Sequence, residues 1–70
     1  MITQIGIIAG EIWRYLDDNE EIILSEICGI LDHPKDLILM SVGWLAREGH
    51  VILKKDDGDF RVSLRYGKKQ

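Results

Sequence analysis

The stretch Asp36-Leu37-Ile38-Leu39-Met40-Ser41-Val42-Gly43-Trp44-Leu45-Ala46-Arg47-Glu48-Gly49-His50-Val51 reads as a helix that stops and hands the chain directly to a strand. Ile38, Val42 and Leu45 recur at steps of four and three, the spacing of one helical face, and so point into a core. Gly49 has no Cβ to clash in the left-handed conformation, which suits it to closing the helix. The opposite side carries Asp36, Met40, Gly43 and Arg47, flanked by Leu39 and Trp44.

Beyond this helix come Val51-Ile52-Leu53-Lys54-Lys55, the turn Asp56-Asp57-Gly58-Asp59, and Phe60-Arg61-Val62-Ser63-Leu64-Arg65. Asp57-Gly58 is a strong hairpin signal, because both central positions of a type I′ turn require positive φ. Centring the turn there sets Leu53 opposite Val62, Val51 opposite Leu64 and Lys54 opposite Arg61. The first four of these then share a face with Phe60 and lie on the helices, while Ile52, Lys54, Arg61, Ser63 and Arg65 form the other face. Like charges directly opposite one another are unfavourable unless an anion lies near them, so Lys54 and Arg61 hint at a hairpin that meets phosphate.

Upstream, Thr3 to about Asp17 is predicted as a first helix, with an apolar stripe of Ile5, Ile8, Ala9, Ile12 and Leu16. Gly6 and Gly10 lie one turn apart, each costing about 1 kcal/mol against Ala in a helix interior. Two such costs on one face are either merely tolerated or mark a close approach by another backbone or a large ring, to which Trp13 could contribute. The run Asp17-Asp18-Asn19-Glu20-Glu21 reads as a solvated acidic turn. Ile22-Ile23-Leu24 is a short strand or extended lead-in, and Ser25 or a near neighbour caps a second helix to about Leu31, with Ile27, Cys28, Ile30 and Leu31 inward. In the following turn Asp32 or His33 can cap the third helix, and Pro34 suits its first turn.

Three helices, the last two joined by a short turn, followed by a two-stranded hairpin, predict an α+β winged helix-turn-helix over residues 1–65. A short extra strand before the second helix and a basic tail over residues 66–70 complete that expectation. Ile5-Gly6, Ala9-Gly10 with Ile12-Trp13, and above all Gly43-Trp44-Leu45-Ala46-Arg47-Glu48, resemble a family of small stand-alone prokaryotic winged helix-turn-helix proteins of unknown function. The likeness runs from the first helix to the hairpin, and within it His50 stands where a Lys is more usual. It implies the fold and a DNA-binding ancestry, and no substrate, cofactor or catalytic residue.

At 70 residues with 46% apolar and 30% charged side chains, the chain suits one small globular domain near the lower limit for a single unaided core. Its apolar runs are too short for a membrane-spanning helix, no signal peptide is evident, and a lone Cys28 demands no oxidising compartment, so a cytoplasmic protein is expected. Net charge is −3 but unevenly placed. Residues 1–49 hold three basic and nine acidic side chains (−6), and residues 50–70 hold six basic and three acidic ones (+3). A nucleic-acid footprint therefore belongs on the hairpin and tail.

No catalytic constellation emerges. His33 and His50 lack partners at metal spacing, the serines lack a base at a fixed offset, and Asp56-Asp57-Gly58-Asp59 lacks the later ligands of a calcium loop. A non-enzymatic protein without cofactor or metal is expected. Two functions remain open. In the first, a dimeric regulator meets double-stranded DNA through Lys54, Lys55, Arg61, Arg65, Lys68 and Lys69, aided by Lys35 and Arg47; these are phosphate contacts, which position more than they read. In the second, the fold serves protein interaction through Gly6, Gly10, Trp13, Met40, Gly43 and Trp44. Fold-based expectation puts the first reading ahead; the acidic balance and the third helix favour the second, since a base-reading helix should offer Arg, Lys, Asn or Gln where this one offers Met, Gly and Trp. Burying one Trp and one Met is worth about 3–5 kcal/mol. Packing on the first helix would supply it, and so would a homodimer.

Overall fold

The computed structural model describes residues 2–65. Among them the chain forms helix α1 (Ile2–Asp18), strand β1 (Ile22–Ile23), helices α2 (Leu24–Ile30) and α3 (Lys35–Arg47), and strands β2 (Val51–Asp56) and β3 (Asp59–Leu64). The strands make an antiparallel sheet in the order β1-β3-β2, so the hairpin's return strand is central. This is the expected α+β layout, with the extra strand before α2 present. The basic tail expected over residues 66–70 lies outside the described residues.

The core lies where α1, α3 and the sheet meet. Ile8 and Ile12 of α1, Ile38 of α3 and Val62 of β3 are almost wholly removed from solvent, with Leu16, Ile22, Ile27, Val42, Leu45 and Val51 around them. Ser41 is buried where α1 and α3 approach. Its hydroxyl donates to the Leu37 carbonyl at 2.7 Å, with the Ile5 carbonyl of α1 at 3.3 Å. A small side chain brings the helices close there, and the bond back to its own helix keeps its oxygen satisfied. Cys28 packs partly buried against the core, as a small apolar residue would.

The helix α3 closes as its sequence indicates. Gly49 has φ +81°, its N–H donates to the Ala46 carbonyl at 3.1 Å, and the His50 N–H donates to Leu45 at 2.9 Å. These two bonds are the Schellman pattern, and they send the chain straight into β2. In the hairpin, Asp57 has φ +49° and Gly58 +90°, and the register pairs Val51 with Leu64, Leu53 with Val62 and Lys54 with Arg61. One expectation fails: Leu53 is 38% exposed although it pairs with the buried Val62, because β2 is an edge strand while Val62 lies on the central strand with Ile22 on its other side.

The helix starts differ from expectation. Ser25 does not cap α2, because the helix begins one residue earlier and Ile23 stands at the cap position without a side-chain acceptor. The Asp59 carboxylate faces the hydroxyl and N–H of Ser25 in the first turn, where helical N–H groups lack intrahelical partners. Neither Asp32 nor His33 caps α3. Pro34 occupies that position with no side-chain cap, and its carbonyl accepts from Leu37 and Ile38 at 3.1 Å. His33 instead reaches α1, with Nε2 at 3.0 Å from Glu11 Oε1. Ile30, expected inward, is exposed at the end of α2.

Replacing Gly49 by Ala puts a Cβ into the left-handed conformation and should cost about 1–2 kcal/mol, read as a lower denaturant midpoint with an unchanged slope. Asp59 supplies a second prediction. Contact with the Ser25 hydroxyl, then with the Phe60 N–H, holds its carboxyl below the ordinary value of 3.8. A depressed folded pKa contributes stability above the unfolded value and loses it as pH falls through the folded one. Thermal melts below pH 3.8 should therefore show a steeper acid loss in the wild type than in Asp59→Asn. Parallel acid profiles would contradict this.

Candidate functional site

Two surfaces carry the residues singled out by sequence. The first is an open groove between α1 and α3, lined by Gly6, Ala9, Gly10, Trp13, Trp44, Leu45 and His50. Trp13 and Trp44 stand over it 45% and 46% exposed, and the Trp44 ring lies 6.3 Å from the His50 ring, tilted by 40°. Met40, one turn before Trp44, is likewise exposed. The idea that Trp44 and Met40 complete the core against α1 is therefore not met within one chain. The close approach considered over Gly6 and Gly10 is also not made internally. Among the described residues, apart from the glycine, its chain neighbours and its own helix backbone, no atom lies within 4 Å of where a Cβ would sit on Gly6, Gly10 or Gly43.

The geometry brings four of the six expected interface residues, Gly6, Gly10, Trp13 and Trp44, into one groove. Met40 and Gly43 lie beside it on the exposed side of α3. Most of the surface so displayed is apolar and uncharged, and it is bordered by two large rings that end in a single N–H donor each. Such a surface suits another apolar surface with its own knobs and hollows, and it offers none of the Arg, Lys, Asn or Gln side chains that read base edges.

The second surface is the wing with the flanking parts of α3. Lys35 opens α3 and Arg47 ends it, both exposed, and a helix of this length separates them by roughly 18 Å. Lys54 and Lys55 are adjacent on β2 and so project from opposite faces of the sheet. The Lys55 ammonium lies 5.6 Å from the centroid of the Phe60 ring, and a shallow groove beside it is lined by Leu24, Cys28, Lys35, Leu39 and Phe60 among others. Arg65 is exposed just after β3, and its N–H donates to the His50 carbonyl at 2.9 Å. The expected contacts Lys68 and Lys69 fall outside the described residues.

Arg61 is the residue whose surroundings sequence reasoning missed. Its Nε lies 2.9 Å from Asp56 Oδ2 and its Nη1 3.0 Å from Glu21 Oε1. Asp56 first, then Glu21, raise its pKa above the usual guanidinium value. The anion that the Lys54–Arg61 pairing called for is thus supplied by the protein itself. Asp56 is two residues along β2 from Lys54, on the same face as Arg61, a neighbour the sequence reading did not name. Glu21 could be placed only once β1 was known to pair with β3, with Ile22 opposite Val62 and Ile23 opposite Arg61.

Among the described residues no helix is long and apolar enough to cross a membrane. Residues 1–64 match the family described as Winged helix-turn-helix domain (DUF2582). The chain is also similar to Uncharacterized protein MJ1608 of Methanocaldococcus jannaschii, 35% identical over 68 residues that cover 93% of this chain and 96% of that protein. Three helices, a sheet whose last two strands form the wing, and a likeness spanning almost the whole chain agree: this protein belongs to the DUF2582 winged helix-turn-helix family.

Proposed function

We propose that the protein works as a homodimer of the regulator type, paired through the α1/α3 groove and touching double-stranded DNA through phosphate contacts. The observation that carries the pairing is the groove itself: two half-exposed tryptophans beside glycines that nothing in the chain covers. A two-fold pair uses such a surface twice, each copy supplying both knob and hollow. Each exposed Trp surface is on the order of 100 Å² and worth about 2.5 kcal/mol when buried. Four of them, two per copy, come to roughly 10 kcal/mol, against an association cost of about 4–15 kcal/mol. Pairing of this strength depends on concentration.

The DNA contact is supported by the winged-helix fold and by the charge of residues 50–70. Lys54, Lys55 and Arg65, with Lys35 and Arg47 at the ends of α3, are spread over a wide surface, as phosphate contacts are. Lys68 and Lys69 extend the basic segment in sequence. Sequence-specific reading by α3 is not part of the proposal, since its outer side offers Met40, Gly43 and Trp44.

A second reading, pairing or partner capture without DNA, is favoured by one observation: Arg61, central in the wing, is already held by two carboxylates. One experiment separates the two. Sedimentation equilibrium and retention of mixed-sequence duplex DNA are measured in the same buffers, at about 50 and about 200 mM salt. The proposal expects a dimer that Trp44→Ala shifts to monomer, and DNA binding that falls steeply with salt. A dimer that ignores DNA even at low salt supports the second reading, and a monomer at every concentration contradicts pairing in either.

A further inference from the structure

Arg61 lies on the central strand, with Lys54 of β2 opposite it on one side and Ile23 of β1 on the other. Both neighbouring strands bring an anion to it: Asp56 ends β2, and Glu21 immediately precedes β1. The two carboxylates engage different nitrogens of the guanidinium, Nε and Nη1, at 2.9 and 3.0 Å. Lys54 and Arg61 against Glu21 and Asp56 make two positive and two negative charges, so this quartet is neutral.

We infer that Glu21 and Asp56 set the phosphate affinity of the wing by occupying the nitrogens through which Arg61 would grip a nucleic-acid phosphate. The inference rests on the phosphate-contact reading above. A guanidinium binds a phosphate through a fork of adjacent N–H donors, Nε with Nη2 or Nη1 with Nη2, and here one carboxylate already accepts from each fork. All three side chains are more than two-fifths exposed. Pairs that exposed are weak and screened by salt, so a phosphate can displace them but gains less from Arg61 than from a free guanidinium. The carboxylates also relieve the repulsion between Lys54 and Arg61, which is why the sheet tolerates two cations face to face. Without DNA the wing is stabilised by the same contacts that hold its most central cation back.

The test uses fluorescence anisotropy with a labelled mixed-sequence duplex over a salt series. Four proteins are compared: the wild type, Glu21→Gln with Asp56→Asn, that double variant with Arg61→Gln added, and the control Asp18→Asn with Asp57→Asn. The control removes the same charge from carboxylates that make no ion pair with Arg61, and Asn tolerates the left-handed conformation at residue 57. Thermal melts verify that each protein is folded. The double variant should bind several-fold tighter than the control, with a salt slope steeper by about 0.9, the increment of one added phosphate contact. Adding Arg61→Gln should abolish the gain. If the wild type binds and the double variant gains no more than the control, the carboxylates do not govern the wing and the inference fails alone. If none of the four binds even at the lowest salt, the phosphate-contact reading fails and takes the inference with it.

Discussion

Two consecutive residues of positive φ, Asp57 at 49° and Gly58 at 90°, fix the register of the hairpin, and the arrangement of the molecule depends on that register. Side chains alternate along a strand, so a slip of one residue would exchange the two faces of the wing. With the turn as it is, Val51 and Val62 enter the core beneath α1 and α3, and Arg61 takes the outer face between Glu21 and Asp56. The same turn carries Asp59 to the first turn of α2, where Ile23 offers no cap of its own. A local backbone preference thus orders the core, a helix start and the charge of the wing together.

A domain this small has little interior to share among its elements, and the sharing here leaves α1 and α3 with apolar surface to spare. Their common face closes tightly at Ser41, where the hydroxyl reaches the Leu37 carbonyl and lies near that of Ile5. Away from that crossing the helices leave a groove with Gly6 and Gly10 on one side and Trp44 on the other. The basic side chains mostly lie elsewhere, on the wing and at the two ends of α3. A pairing surface and a phosphate surface can therefore operate on one domain with little overlap.

Most of the architecture was legible in the sequence because it rests on local rules. Gly49 closes α3, Asp57-Gly58 turns the hairpin, and the spacing of Ile38, Val42 and Leu45 marks the inner face, each by a preference that neighbouring residues do not override. What escaped was set by contacts between distant segments. Ser25 does not cap α2 and instead lies against Asp59, more than thirty residues away in sequence. The partner of His33 is Glu11, across the bundle on α1. The neutralisation of Arg61 requires Glu21, and nothing local says which strand of the hairpin β1 will join. For the candidate surfaces, the sequence marked the exposed side of α3 and the glycines of α1. It could not decide whether Trp44 and Met40 cover their own core or stand open.

In the proposed dimer a second copy covers the α1/α3 groove. Isotope-filtered NMR on a mixture of labelled and unlabelled protein tests it directly, because it registers only contacts between copies. Pairing through the groove should give intermolecular cross-peaks from the indole protons of Trp13 and Trp44 to the α protons of Gly6 and Gly10. Intermolecular cross-peaks confined to the wing, or none at a concentration where the protein sediments as a dimer, would contradict it.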